Sequence, residues 1–168
     1  MCLTVNVYLG NEYKIGRQQV RDLQAGVLGY YVHLNKPLFS RRGRHLTIYE
    51  LGEGGCACSL LSEEAGFDSS TWDLRIEMLE GLAQLINRIW DISGGLLIFD
   101  ALWYAKGPEE DRNVTIEELN AIIRTNKLGS KTRYFVISEE DLKILKNIKE
   151  KNKNYLGAME ELLRKVEE

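Results

Sequence analysis

The sequence predicts an α+β fold: an antiparallel or mixed sheet with about three helices packed on it and an amphipathic C-terminal helical arm. Three observations lead to this prediction. Up to residue 61, the chain contains short segments in which apolar and polar residues alternate, as they do in half-buried strands. From residue 71 onward, apolar residues recur at helical spacing behind capping residues. Short turns between the early segments favour antiparallel pairing, and a later strand–helix–strand order allows one parallel pair.

The predicted strands of the first half are "CLTVNVYL" (2–9), "VLGYYVHL" (27–34), "HLTIYEL" (45–51) and "CACSLL" (56–61). In the first of them, leucine or valine stands at every second position, so one face is expected to be buried. The segment "RQQVRDLQ" (17–24) is predicted to be either one short helical turn or irregular. The glycines of "GEGG" (52–55) indicate a hairpin between the last two strands.

The second half is predicted to consist of a helix that begins at Thr71 or Asp73, a strand over 96–105, an acidic surface turn over 106–113, a helix over 115–129, a strand over 132–137 and a final helix from Ser138. Thr115 followed by Glu118 is the pattern of a capping box. The final helix is expected to break near 152–154. We expect a single α+β domain over 1–150, with 151–168 as a helical extension of that domain.

Length, charge and cysteine content exclude several classes of protein. At 168 residues, of which 44% are hydrophobic, the chain is long enough for one domain with its own core. The net charge of −3 gives no general attraction to nucleic acid or anionic lipid. Three cysteines do not suit a disulfide-stapled secreted domain, and the first residues lack the pattern of a signal peptide. Since no apolar run is long enough to span a bilayer, we expect a soluble cytoplasmic protein without membrane contact.

The stretch "GEGGCACSLL" (52–61) carries two cysteines on one face of a predicted strand. Cys56 and Cys58 share that face with a leucine, and buried thiols pack like small apolar side chains. We therefore interpret them as core residues and expect no cofactor. The alternative is a metal- or thiol-dependent enzyme centred on Cys56 and Cys58, with His45 or Asp100 assisting. Against a zinc site stands the missing second pair of ligands.

Asp100 is the one acidic residue in the predicted strand "LLIFDALWYA". It shares a face with Ile98 and Leu102, so burial of that face would bury a carboxylate, which must then be paired or protonated. Arg133 occupies the matching face of the strand "TRYFVI" and is the candidate partner. We favour a structural ion pair. The alternative is a functional site, with Asp100 as a catalytic general base of raised pKa and Arg133 as a binding residue.

Arg41, Arg42 and Arg44 form a dense basic cluster in a predicted loop. Guanidinium groups match phosphate oxygens, so phosphate or RNA binding through this loop is a second alternative function. The overall negative charge argues against a nucleic-acid partner, and a charge run more often forms a solvated surface. Trp72 stands beside acidic residues and could line a binding cleft, although packing against the core is the simpler interpretation.

The apolar residues of the C-terminal helix are Leu142, Leu145, Ile148, Tyr155, Met159, Leu162 and Val166. Such a stripe needs a partner: it folds back on the sheet, which we favour, or it contacts a second copy of the chain. Phosphate-binding, zinc-protease and hydrolase motifs are absent, and there are only two histidines. The sequence therefore predicts a non-catalytic binding protein whose partner is another protein or itself. It leaves enzymatic activity and any small-molecule ligand open.

Overall fold

The computed structural model of the chain describes residues 3–9, 15–27, 30–35, 45–50, 72–103 and 107–167. The strands within these ranges are β1 (Leu3–Leu9), β2 (Tyr30–Asn35), β3 (His45–Glu50), β4 (Leu96–Trp103), β5 (Glu110–Val114) and β6 (Thr132–Ile137). The helices are α1 (Arg17–Gln24), α2 (Trp72–Asp91), α3 (Ile116–Arg124) and α4 (Glu139–Glu167).

The strands of the described chain form one mixed sheet in the order β2-β3-β1-β4-β6-β5. Neighbouring strands are antiparallel except β5 and β6, which run parallel and are joined through α3. A helix suits this connection because parallel neighbours need a long crossover, whereas a tight turn joins antiparallel ones. The α+β class and the mixed sheet predicted from the sequence are confirmed.

Alternate strand residues build one apolar core together with α1, α2 and α3. In β1, Leu3, Val5, Val7 and Leu9 are buried, and the residues between them are half-buried. The largest helical contribution comes from α2, whose buried core residues are Leu79, Leu82, Ala83, Leu85, Ile86 and Ile89. Successive side chains of a strand point to opposite faces. The intervening positions therefore form a second face of the sheet. This face carries Asp100 and Arg133, which the sequence analysis singled out as candidate site residues.

Strand β5 lies where the sequence predicted only an acidic surface turn, so that prediction was wrong. The first four residues of β5 are exposed, and only Val114 is buried. The segment therefore lacks the apolar alternation by which the other strands were found. Charged residues are typical of strands at the end of a sheet, where they discourage pairing with another chain. Parallel pairing with β6 is what makes this segment a strand.

The predicted capping box at the start of α3 is present. The Glu118 backbone N–H donates to Thr115 Oγ1 over 3.2 Å, and the Thr115 backbone N–H donates to Glu118 Oε2 over 3.0 Å. These contacts satisfy two donors that the first helical turn leaves without a partner. Helix α3 ends at Arg124, earlier than predicted. The Arg124 guanidinium binds the Glu80 carboxylate of α2 through Nε at 2.6 Å and Nη2 at 3.0 Å.

The chain divides into two compact units, Met1–Ile137 and Ser138–Glu168. The second unit contains α4, which is one continuous helix of 29 residues. The break expected near 152–154 is therefore absent. The asparagines in "NKN" are only moderate helix formers, but no proline lies nearby, and their cost is too small to interrupt a long helix. None of the helices in the described ranges combines the length with the apolar composition that spanning a bilayer requires.

Candidate functional site

A row of polar residues crosses the sheet on the face opposite α1, α2 and α3. The strand register places one polar residue of each strand in this row, in the order His33, Thr47, Asn6, Asp100, Arg133 and Asp111. The two ends of the row, His33 and Asp111, are exposed. Its centre is Asp100 on β4, which stands directly between Asn6 on β1 and Arg133 on β6.

Hydrogen bonds and one ion pair connect the central members of this row. Thr47 Oγ1 donates to Asn6 Oδ1 over 3.3 Å, and Asn6 Nδ2 donates to Asp100 Oδ1 over 3.0 Å. Arg133 Nε lies 3.6 Å from Asp100 Oδ2, which is an ion-pair distance but too long for a hydrogen bond. The ion pair expected between Asp100 and Arg133 is therefore present, and it continues a polar network that spans four adjacent strands.

The Asp100 carboxyl is fully buried, with 0% of its surface exposed. Burial raises the pKa of this carboxyl above its ordinary value of 3.8, because the charged form loses its hydration. The hydrogen bond from Asn6 and the positive charge of Arg133 act in the opposite direction and offset part of that rise. The side chain of Arg133 keeps 16% of its surface exposed, so its charge stays partly hydrated.

The position of Asp100 suits a structural role in the sheet better than a catalytic role. A general base must approach the proton of its substrate to within about 3 Å. Asp100 exposes none of its surface, and its neighbours in the row are the Asn6 amide and the Arg133 guanidinium. A slip of β4 by one residue would turn the carboxylate into the apolar core. We therefore interpret the row as a device that holds β1, β4 and β6 in register.

Helix α4 carries the clearest exposed apolar surface in the described part of the chain. Ile144, Leu145 and Ile148 expose 50%, 43% and 49% of their surfaces, and every residue from 143 to 154 is exposed. Leu142, the first residue of the predicted apolar stripe, is buried, whereas Leu145 and Ile148 are exposed; that the stripe folds back on the sheet stays a prediction of the sequence. We call Leu145 and Ile148, together with the later apolar positions predicted for the stripe, the α4 stripe.

The start of α4 is fixed by local hydrogen bonds. The Asp141 backbone N–H donates to Ser138 Oγ over 3.1 Å, and Ser138 Oγ donates to Asp141 Oδ2 over 2.7 Å. The first turn is acidic, which suits the positive end of the helix dipole. Lys143 then pairs with Glu139 one turn earlier, at 3.4 Å. Such exposed pairs contribute little individually, so they do not replace the burial of an apolar stripe.

Most of the remaining candidates lie outside the described residues: Cys56, Cys58, Arg41, Arg42 and Arg44. The backbone of His45 lies at the start of β3, opposite Tyr8 on β1, and the backbone of Trp72 begins α2. Within the described ranges, no group of three or more histidine, cysteine or acidic residues could hold a metal ion. The thiol or metal site and the arginine loop stay predictions of the sequence.

Sequence reasoning missed two members of the polar network, Asn6 and Thr47. Both stand between apolar residues of predicted strands, on the same face as the other polar positions of those strands. That alternation was available in the sequence. What was missing was the order of the strands, because only the pairing of β1 with both β3 and β4 brings the two side chains next to Asp100.

Comparison with known proteins adds no relative. No protein-family model, curated protein or solved structure matches this chain. The function must therefore be argued from the two features described above, the polar row of the sheet and the α4 stripe.

Proposed function

We propose that this protein is a non-catalytic binding protein that associates with a second copy of itself through α4, forming a homodimer. One observation carries the proposal: Leu145 and Ile148 are about half exposed on a helix of which residues 143–154 are all exposed. The polar row offers no comparable surface, because its central carboxylate is buried. The cytoplasm is the compartment we propose, since the sparse, odd set of three cysteines suits a reducing environment.

Energetics favour a partner for α4. Isolated helices are marginal in water, and in proteins most helical stability comes from packing of an apolar face. Fully burying one leucine or isoleucine side chain contributes about 1.5–3 kcal/mol. Because Leu145 and Ile148 are about half exposed, about half of that contribution is still available at each of them. A symmetric dimer would gain it twice, once in each copy. Association through the α4 stripe would supply the burial that this helix lacks along residues 143–154.

The spacing of the α4 stripe favours another helix as the partner. With Asn152 added to the α4 stripe, the positions are 145, 148, 152, 155, 159, 162 and 166, so the steps alternate between three and four residues. This is the heptad repeat of a coiled coil, in which two helices wind around each other along one seam. A second α4 has the same repeat and the same length. The sequence of this chain therefore contains the matching surface.

Asn152 is the single amide in this repeat, where it occupies a position equivalent to Leu145. A single asparagine at such a position lowers the stability of a coiled coil but selects its register and the number of its helices. Nonspecific apolar association gains nothing from a polar residue in the middle of its seam. The position of Asn152 therefore supports one defined complex over loose clustering of α4 helices.

Sedimentation equilibrium of the full chain tests this proposal. One chain has a mass of 19.3 kDa, and we expect the average mass to rise to twice that value as the protein concentration increases. For a seam of three heptads, the transition should fall between about 1 and 100 μM. A mass that stays at that of one chain up to millimolar concentration would refute self-association. Growth beyond the dimer without a plateau would refute the defined complex.

A further inference from the structure

We infer that the two copies of α4 pair in antiparallel orientation, an inference that rests on the proposed function. In an antiparallel coiled coil, the first half of one helix lies beside the second half of the other. In a parallel coiled coil, each half lies beside its own copy. The two arrangements bury the same apolar residue types, so the distribution of charge along α4 decides between them.

The charges of α4 are unevenly distributed. Residues 143–153 contain five lysines and one glutamate, a net charge of +4. Residues 154–164 contain two glutamates and one arginine, a net charge of −1. A parallel pair would place the two positive segments side by side, and the repulsion between their net charges opposes this arrangement at low salt. An antiparallel pair places each positive segment beside the weakly negative one.

The acidic first turn supports the same orientation. Residues 139–141 carry three negative charges, and a parallel pair would bring the two acidic turns together. In the antiparallel pair, this turn lies beside residues 166–168, which carry two negative charges, so repulsion is weaker. The dipoles of antiparallel helices also oppose each other, which is favourable. All three electrostatic contributions therefore favour the antiparallel pair.

Among the antiparallel registers that the heptad repeat permits, one gives Asn152 a polar partner. When the seam positions face each other in this register, Leu145 lies opposite Leu162, Ile148 opposite Met159 and Asn152 opposite Tyr155 of the second copy. Apolar residues then meet apolar residues in the layers next to the centre, and Val166 at the end of the seam lies opposite Asp141. At the centre, an amide meets a phenol. An asparagine amide can donate to or accept from a tyrosine hydroxyl, so the polar residue of the seam has a partner in this register.

Position 158 tests the orientation, because it flanks the seam and carries a small alanine. In the antiparallel register, Ala158 lies beside Lys151 of the second copy, and the symmetry of the dimer creates this pair twice. In a parallel pair, the residue beside position 158 would be Leu163, which carries no charge. A charge introduced at position 158 therefore meets a lysine in only one of the two orientations.

Three full-length variants make the comparison: Ala158→Glu, Ala158→Gln and Ala158→Lys. We expect Ala158→Glu to dimerise about tenfold more tightly than Ala158→Lys at low salt, with Ala158→Gln between them, because attraction replaces repulsion at two sites. The difference should shrink as salt rises. Within one helix, Glu161 would repel a glutamate at position 158 and attract a lysine. The expected order therefore cannot come from helix stability.

A charge swap completes the test. Lys151→Glu combined with Ala158→Lys should restore the dimer that Ala158→Lys weakens, because each lysine again faces a glutamate. Dimers of equal affinity for Ala158→Glu and Ala158→Lys would overturn the antiparallel orientation while leaving self-association intact. If the wild type and Ala158→Gln both remain monomers, the proposed function itself is wrong. The two failures are therefore distinguishable in one series of sedimentation measurements.

Discussion

Replacing Ile148 with glutamine is expected to raise the dissociation constant of the dimer about 100-fold. Ile148 lies in the α4 stripe, where 49% of its surface is exposed and available for burial against a second copy. Glutamine loses that apolar contact in both copies and places an amide in the seam. Sedimentation equilibrium at several concentrations measures the change.

Ile144→Gln is the matched control. Ile144 lies on the same helix with 50% of its surface exposed, but it flanks the seam, as position 158 does, and is not one of the seam positions themselves. The two substitutions have the same chemistry and the same effect on helix propensity. We expect Ile144→Gln to change the dissociation constant by no more than about fivefold. Equal effects of Ile144→Gln and Ile148→Gln would mean that the heptad repeat does not define the interface.

Replacing Arg133 with methionine is expected to lower the free energy of unfolding by about 3 kcal/mol at neutral pH. Methionine keeps most of the apolar volume of the arginine side chain but leaves the buried Asp100 carboxylate without its positive partner at 3.6 Å. Urea denaturation measures the loss. Asp100→Asn combined with Arg133→Met should recover most of the stability, because no buried charge then lacks a counter-charge.

This loss should depend on pH in a defined direction. Burial raises the pKa of the Asp100 carboxyl above 3.8, so the folded state binds its proton more tightly than the unfolded state does. Protonated Asp100 therefore favours folding below pH 3.8, and that contribution disappears as pH rises through the raised pKa. The Arg133→Met defect should thus shrink on acidification, and the stability of Asp100→Asn relative to the wild type should increase with pH. A defect that is constant from pH 3 to pH 7 would show that the ion pair is energetically unimportant.

Local patterns in the sequence were sufficient for most of the fold. The alternation in β1 and the capping box at Thr115 each follow from interactions within a few residues, so the sequence alone reveals them. Strand β5 could not be found in this way, because its side chains are exposed and only its pairing with β6 defines it. The sequence wrongly predicted a break in α4 at 152–154, because the two asparagines there are only moderate helix formers and their small cost does not interrupt a long helix.

In the candidate sites, too, the sequence predicts features that depend on one or two strand patterns but not those that depend on the order of the strands. The pairing of Asp100 with Arg133 was predictable, because both interrupt one face of an apolar strand. Their connection to Asn6 depends on the strand order, which no local pattern encodes. For α4, the sequence revealed an apolar stripe but not whether another element covers it. The exposure of Leu145 and Ile148 is the observation on which the proposed self-association rests.

Hydrogen–deuterium exchange of the full chain, recorded above and below the concentration at which the mass doubles, tests the central claim most directly. We predict that backbone amides from residue 143 to residue 166 exchange more slowly at the higher concentration, because association stabilises the helix that they form. Amides of β1, β4 and β6 should exchange at the same rate at both concentrations. Concentration-independent exchange throughout α4, or protection that appears elsewhere in the chain, would contradict self-association through this helix.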